Sequence, residues 1–223
     1  MRPEENHQLT LYSYWRSSAA YRVRIALQLK GLDFKTVPVH LTRQGGEQHA
    51  GSYLALNPQG LVPVLLHGKF VLSQSLSICE YLDDVFPGYP LLPADPAGRA
   101  YVRSLALQIA CDIHPLNNLR VQNYLKAQCG SGVDAVAWML HWMETGFTAI
   151  ERRLCDRKHG HIGYDAGHPG LFECFLVPQV YNAERYGADL SVFPAIREIV
   201  SNCRVQTAFM MAAPENQPDA EPL

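Results

Sequence analysis

The chain has 223 residues, a formal net charge of −2 and 48% hydrophobic residues, enough length and apolar content for one large or two ordinary domains with a buried core. A near-neutral balance with no basic run disfavours nucleic acid and anionic membrane as partners. No stretch reaches the roughly 18 apolar residues of a membrane span, and the start Met1–His7 is too polar for a signal peptide, so a cytoplasmic location is expected. The cysteines Cys79, Cys111, Cys129, Cys155, Cys174 and Cys203 form no CxxC pair, which suits free thiols and argues against structural zinc. His159 and His161 lack further ligands and read as loop residues, so no metal site is expected.

The first elements alternate. A strand over Leu9–Tyr14 leads through Ser17-Ser18 into an amphipathic helix over Ala19–Lys30, closed by Gly31. The first N–H groups of a helix have no intrahelical partner and carry partial positive charge, so the two hydroxyls stand where a thiolate or carboxylate is stabilised. Taken alone, the segment is more simply read as a serine N-cap. A strand at Phe34–Val39, a short helix within Glu47–Leu54, and two β-runs, Val62–Leu66 and Phe70–Leu72, joined at His67-Gly68-Lys69, come next. A helix over Ser75–Val85 completes an order β-α-β-α-β-β-α, that of a thioredoxin-like domain. Pro63 cannot donate to a sheet ladder and marks an edge, a strand start or a cis bond.

The proline-rich run Pro87–Pro93 is a connector, and the pattern beyond it is helical. The expected division is a thioredoxin-like α/β domain over residues 1–90 and an all-α domain over 91–223. Asp95-Pro96 caps a helix running through Ile113, where Pro115 interrupts it and is expected to turn His114 and Asn118 towards a cleft. Further helices are predicted at Val133–Cys155, Leu171–Tyr186 and Pro194–Ala212. The stripe Trp138, Trp142, Thr145, Ala149 reads as core rather than a ligand platform. The polar, proline-rich residues from about Pro214 are expected to be disordered or loosely draped.

On Asn57-Pro58 before Val62-Pro63, and Gln74-Ser75 opening the next helix, the chain resembles cytosolic glutathione transferases along nearly its whole length. Ser17–Leu27 and Leu176–Arg185 resemble the zeta class, which includes maleylacetoacetate isomerase; the run Cys111–Pro115 with Asn117-Asn118 is similar to bacterial maleylpyruvate isomerase. The resemblance implies a glutathione-dependent cis–trans isomerase of a maleylated keto acid, a homodimer with glutathione as coenzyme. Two departures stand out. Ala19 and Tyr21 replace the class's cysteine and tryptophan, so no protein thiol is available at that turn, and Gly170–Glu173 replaces a Ser/Thr-x-x-Asp capping box.

Carried over residue by residue, the resemblance assigns Ser17 and Ser18 to catalysis. It assigns Ser17, Ala19, Gln48, Val62, Pro63, Gln74, Ser75, His114 and Asn118 to binding glutathione. Ser17 stabilises the thiolate, Gln74-Ser75 hold the γ-glutamyl end, the Val62 backbone pairs with the cysteinyl unit, and Gln48 lies near the glycyl end. A small dicarboxylate needs cations, and Arg16, Arg120 and Arg185 match or adjoin a carboxylate-binding set; planar guanidinium suits bidentate pairing. Arg22 and Arg24 read rather as a surface or interdomain ion pair. Three readings stay open: the isomerase on maleylacetoacetate or maleylpyruvate, a general transferase or peroxidase acting on hydrophobic electrophiles, and a non-catalytic protein on the same fold.

Overall fold

A computed structural model describes residues 8–129, 132, 134–156 and 168–221. The His159–His161 pair and the polar start lie outside these residues. The chain divides into two compact units, one running to Leu91 and resuming at Gln206, the other spanning Leu92–Val205.

The first unit is built on a four-stranded sheet of order β2-β1-β3-β4, with β1 Leu9–Ser13, β2 Phe34–Pro38, β3 Val64–His67 and β4 Phe70–Ser73. β1 pairs parallel with β2 and antiparallel with β3, and β3 pairs antiparallel with β4. Alternation buries Leu9, Leu11 and Ser13 on one face of β1. The parallel pair requires a crossover, supplied by α1 (Ser18–Leu29), which Gly31 ends in the left-handed region at φ 62°. A 3-10 turn at Glu47–His49 and the short α2 (Gly51–Leu54) lead to Val62–Pro63, a cis peptide, and β3 begins at the next residue. Pro63 is therefore a cis residue at a strand start, not part of an edge: β3 is internal, and its ladder begins beyond the missing N–H. α3 (Ser75–Val85) follows β4 directly.

In the second unit α4 (Pro96–Leu107) starts with Asp95 accepting the Gly98 N–H at 2.7 Å. The helix does not hold its α geometry up to Pro115. It widens into a π turn at Gln108–Ile113 and tightens to 3-10 at His114–Asn117, because the proline has no N–H for the Cys111 carbonyl. Gly146, on α6 (Ala135–Cys155), faces this turn so closely that a Cβ there would stand 2.3 Å from Ile113 Cδ1. A helix absent from the sequence reading, α5 (Leu119–Cys129), separates the two; α7 (Leu171–Arg185) and α8 (Pro194–Arg204) complete the unit.

Three expectations need correction. The core face of α6 is Ala135, Met139, Met143, Phe147 and Ile150, while Thr145 and Ala149 are exposed and the two tryptophans half-buried. Trp138 has a polar duty that sets its place: its indole N–H donates to the Leu116 carbonyl at 2.8 Å, pinning the 3-10 turn. The helix predicted over Pro194–Ala212 is broken at extended Gln206 into α8 and α9 (Thr207–Ala212), and α9 packs on α1 as part of the first unit. The tail is not loosely draped. Pro214 is buried in a 3-10 turn, the Gln217 amide donates to the Met211 and Ala213 carbonyls, and Asp219 accepts the Trp15 N–H. Among the described residues no helix is long and apolar enough to cross a membrane, and no three His, Cys, Asp or Glu gather as metal ligands.

Candidate active site

Strand pairing gathers the predicted residues of the first unit at one end of the sheet. Tyr12 pairs with Val64 and Val64 with Ser73, so the exit of β1, the entry to β3 and the exit of β4 are neighbours. These points lead into Ser17-Ser18, follow Val62-Pro63, and lead into Gln74-Ser75, respectively. The exit of parallel β2 joins them, with the Val39 N–H donating to the Ser13 carbonyl at 2.8 Å, and its continuation carries Gln48.

Ser17 is the N-cap of α1 and half-buried; its hydroxyl accepts the Ala20 N–H at 3.2 Å. An accepting hydroxyl still has its own proton to donate, so the cap and an anion contact are compatible. Ser18 is buried in the first turn and Ala19 half-buried beside it. Ser75 opens α3, also buried, and accepts from the Arg22 guanidinium at 3.2 Å, again leaving the hydroxyl proton for an outward acceptor. Neither α1 nor α3 has an acidic residue in its first turn.

The residue before Ser75 is Gln74, exposed and held at φ 71°. A non-glycine residue in that region costs about 1–3 kcal/mol and persists where its surroundings demand it; here its amide donates to Gln59 Oε1 at 3.0 Å. On the β3 side, Tyr53 and Asn57 both donate to the Leu61 carbonyl at 2.7 Å, fixing the backbone just before Val62. Asn57 was legible as part of the motif, whereas Tyr53 gave no signal. Gln48 is buried, donates to the Leu41 carbonyl at 3.3 Å, and leaves its Oε1 without a hydrogen-bond partner among the described residues.

Arg22 and Arg24 are not surface ion-pair residues. Both are buried, at 2% and 1% exposure, because they serve the turn from inside the unit. Arg24 donates to the Trp15 carbonyl and Ser13 hydroxyl at 3.0 and 3.1 Å, to the Tyr14 carbonyl at 3.4 Å, and to the Ala212 carbonyl at 3.0 Å. Arg16 lies half-buried with its guanidinium 4.5 Å from the centre of the Trp15 ring. The other predicted residues belong to the second unit. His114 and Asn118 flank the 3-10 turn, both half-buried; Arg120 is exposed at the start of α5, and Arg185 is exposed at the end of α7, 5.4 Å from the Tyr186 ring.

Three of the chain's thiols are poorly placed for chemistry, while Cys111 and Cys155 are exposed. Cys79, Cys174 and Cys203 are buried, and burial pushes Cys79 up to about 12 despite the nearby Arg22. Burial likewise raises Cys203, with Glu173 adding to the effect. Buried protonated thiols are inert.

The chain matches the family model for the glutathione S-transferase N-terminal domain over residues 7–84. It is 49% identical over 214 residues to a probable maleylacetoacetate isomerase of Vibrio cholerae, covering 95% of this chain and 98% of that one. It superposes on the holo structure of a maleylpyruvate isomerase, a bacterial zeta-class enzyme, with a TM-score of 0.88 and 43% identity, covering 95% and 100% of the two chains. A maleylacetoacetate isomerase from Anaeromyxobacter dehalogenans, solved with dicarboxyethyl glutathione and citrate in its active site, gives a TM-score of 0.83 at 36% identity and covers 98% and 96%. The chain belongs to the glutathione S-transferases, and within them to the zeta-class group that holds the maleylacetoacetate and maleylpyruvate isomerases.

Proposed function

We propose that this protein is a glutathione-dependent cis–trans isomerase that converts maleylacetoacetate to fumarylacetoacetate in aromatic-compound catabolism, working as a cytoplasmic homodimer. The observation that carries the reading is the helix start at Ser17. It is an uncapped-by-acid N-terminus with a hydroxyl proton to give, at a turn where this chain has Ala19 and no thiol. The residues fit a thiol tripeptide. The backbone at Val62 beside the cis peptide, the Ser75 hydroxyl backed by Arg22, and the orphaned Gln48 Oε1 offer donors and an acceptor around that helix start.

Glutathione, when bound, supplies the thiolate that adds to the double bond conjugated with the ketone, makes it a rotatable single bond, and leaves again after rotation. A free thiol has a pKa of about 8.5, so at neutral pH the protein must favour the anion. Ser17 and the first N–H groups of α1 do this, as does the partial positive charge of the helix start. Ser75 and Gln74 hold the γ-glutamyl carboxylate at the parallel arrangement on α3. Arg16, Arg120 and Arg185 bind the substrate's carboxylates, with His114 and Asn118 lining the helical side. The dicarboxyethyl glutathione bound in the active site of the Anaeromyxobacter relative supports a site that takes glutathione together with a two-carboxylate unit.

The test is direct. Purified protein is mixed with maleylacetoacetate, with maleylpyruvate or with a hydrophobic aryl halide, each with and without glutathione, and absorbance is followed. Faster isomerisation of maleylacetoacetate, and only with glutathione, is expected; preference for maleylpyruvate replaces the substrate, and turnover of the aryl halide alone replaces the reaction. In the same assay Arg16→Ala and Arg185→Ala raise KM for the dicarboxylate roughly 10- to 150-fold, the equivalent of one charge-assisted bond, and leave glutathione affinity nearly intact. Lysine at either position recovers only part.

A further inference from the structure

The carboxyl-terminal segment closes on the turn that presents Ser17. The Trp15 N–H, in a residue 1% exposed, donates to Asp219 Oδ2 at 3.0 Å across 204 positions of sequence. Ala220 packs against the cluster of Tyr14, Trp15, Val39, Tyr53, Val62 and Val64, which includes the residue before the cis-proline. Glu221 reaches Arg43 and stands 3.4 Å from His40 Nε2. One step earlier in the chain, Arg24 ties the Ala212 carbonyl to those of Tyr14 and Trp15. The Tyr14–Ser17 turn, closed by the Ser17 N–H on the Tyr14 carbonyl at 2.9 Å, is thus held on its carbonyl side by Arg24 and on its N–H side by Asp219.

We propose that this segment is a working part of the glutathione site, with Asp219 a positioning residue that sets the turn from which the Ser17 hydroxyl is presented. The proposal rests on the reading of Ser17 given above. Its physical basis is that a buried N–H must find an acceptor: without Asp219 the Trp15 peptide turns to seek another, and Ser17 two residues on moves with it. A preorganised donor loses its effect when displaced by about 1 Å. The tripeptide's affinity rests chiefly on Val62, Gln74 and Ser75, which the segment does not hydrogen-bond, so the signature is a loss in turnover with little loss in binding.

The test uses Asp219→Ala and Asp219→Asn in the full chain, the second keeping an acceptor oxygen. Four quantities are read: kcat, glutathione affinity by calorimetry, the pH titration of the bound thiol by thiolate absorbance, and hydrogen exchange at the Trp15 amide of the unliganded protein. Asp219→Ala is expected to lower kcat about tenfold, change glutathione affinity less than threefold, move the bound-thiol titration to higher pH, and speed Trp15 exchange at least tenfold. Asp219→Asn restores all of these. Wild-type kcat and thiol titration in the alanine variant, or an asparagine variant as impaired as the alanine one, overturns the proposal. Should Asp219→Ala fail to fold, the unmodified protein decides: saturating S-methylglutathione slows Trp15 exchange severalfold if turn and site are coupled, and an unchanged rate refutes it. A wild-type protein that does not bind glutathione defeats the site reading itself; one that binds, with indifferent Asp219 variants, defeats only the role of the segment.

Discussion

The two units treat their helix starts differently. In the second unit four helix starts are met by carboxylates, and that of α5 by the Asn118 carboxamide. Asp95 caps α4, Asp134 accepts from Val136 and Ala137 on α6, Glu173 accepts the Gly170 N–H at 2.7 Å, and Glu151 receives the Ala195 and Ile196 N–H groups of α8 at 2.8 and 3.0 Å. In the first unit the buried guanidinium groups of Arg22 and Arg24 turn on carbonyls and hydroxyls, and the starts of α1 and α3 hold serines and no acid. A carboxylate at a helix start satisfies its N–H groups and cancels its partial charge. The unit that closes its helix starts is a scaffold, and the unit that leaves two of them to hydroxyls has places for a ligand's anions.

The sharpest way to break that contrast is to give α1 the kind of cap the second unit uses. Ser17→Ala removes a donor aimed at the thiolate and is expected to lower kcat roughly 10- to 1,000-fold. Ser17→Asp keeps a good N-cap but sets an anion against an anion, so turnover falls at or beyond the upper end of that range while thermal stability is held. Steady-state kinetics with the bound-thiol titration reads both; an aspartate variant as active as wild type would remove Ser17 and the open helix start from the mechanism.

A second break acts on the cations. Arg24→Met replaces a buried guanidinium by a shorter unbranched apolar chain and leaves acceptors at Ser13, Tyr14, Trp15 and Ala212 short of a donor. With about 1–3 kcal/mol for each buried group left unsatisfied, a loss of at least about 3 kcal/mol in urea unfolding is expected. Arg24→Lys recovers less than half, since a single ammonium nitrogen cannot reach acceptors spread around the three guanidinium nitrogens.

How much of this was legible follows from the range of the interactions involved. The strand-to-helix turn, the Ser75 helix start and the cis-Pro63 segment announce themselves through residues adjacent in sequence. The roles of Arg22 and Arg24 did not, because their partners come from β1, α3 and the chain's far end, and an arginine in a helix ordinarily faces solvent. The tail was misread for the same reason: its residues have the composition of a disordered segment, and order comes from Trp15 and Arg43, far away in sequence. In α6 the paired tryptophans suggested a face one position away from the true seam of Met139, Met143 and Phe147. The break between α8 and α9 has no glycine or proline to mark it. The candidate residues of the helical unit were named from the resemblance, and their placement beside the glutathione residues is a proposal that the arginine variants test.

The smallest effect expected is also the one that sharpens the comparison by pH. Glu173 is fully buried, and burial outweighs the Gly170 hydrogen bond to push its carboxyl from 4.5 up to about 7. The folded state therefore holds this proton between about pH 4.5 and 7, where the unfolded chain has released it. Stability contributed by the protonated acid is complete below the unfolded value, declines as pH rises through that window, and is gone above about pH 7. Its full size is at most about 3 kcal/mol, at 1.36 kcal/mol per pH unit of displacement. Glu173→Gln carries an amide oxygen that still accepts the Gly170 N–H and has nothing to titrate. The variant should match wild type at pH 4.5 and exceed it by about 1–3 kcal/mol at pH 8 in urea unfolding. A parallel pair of curves across that range would show that Glu173 titrates alike in both states.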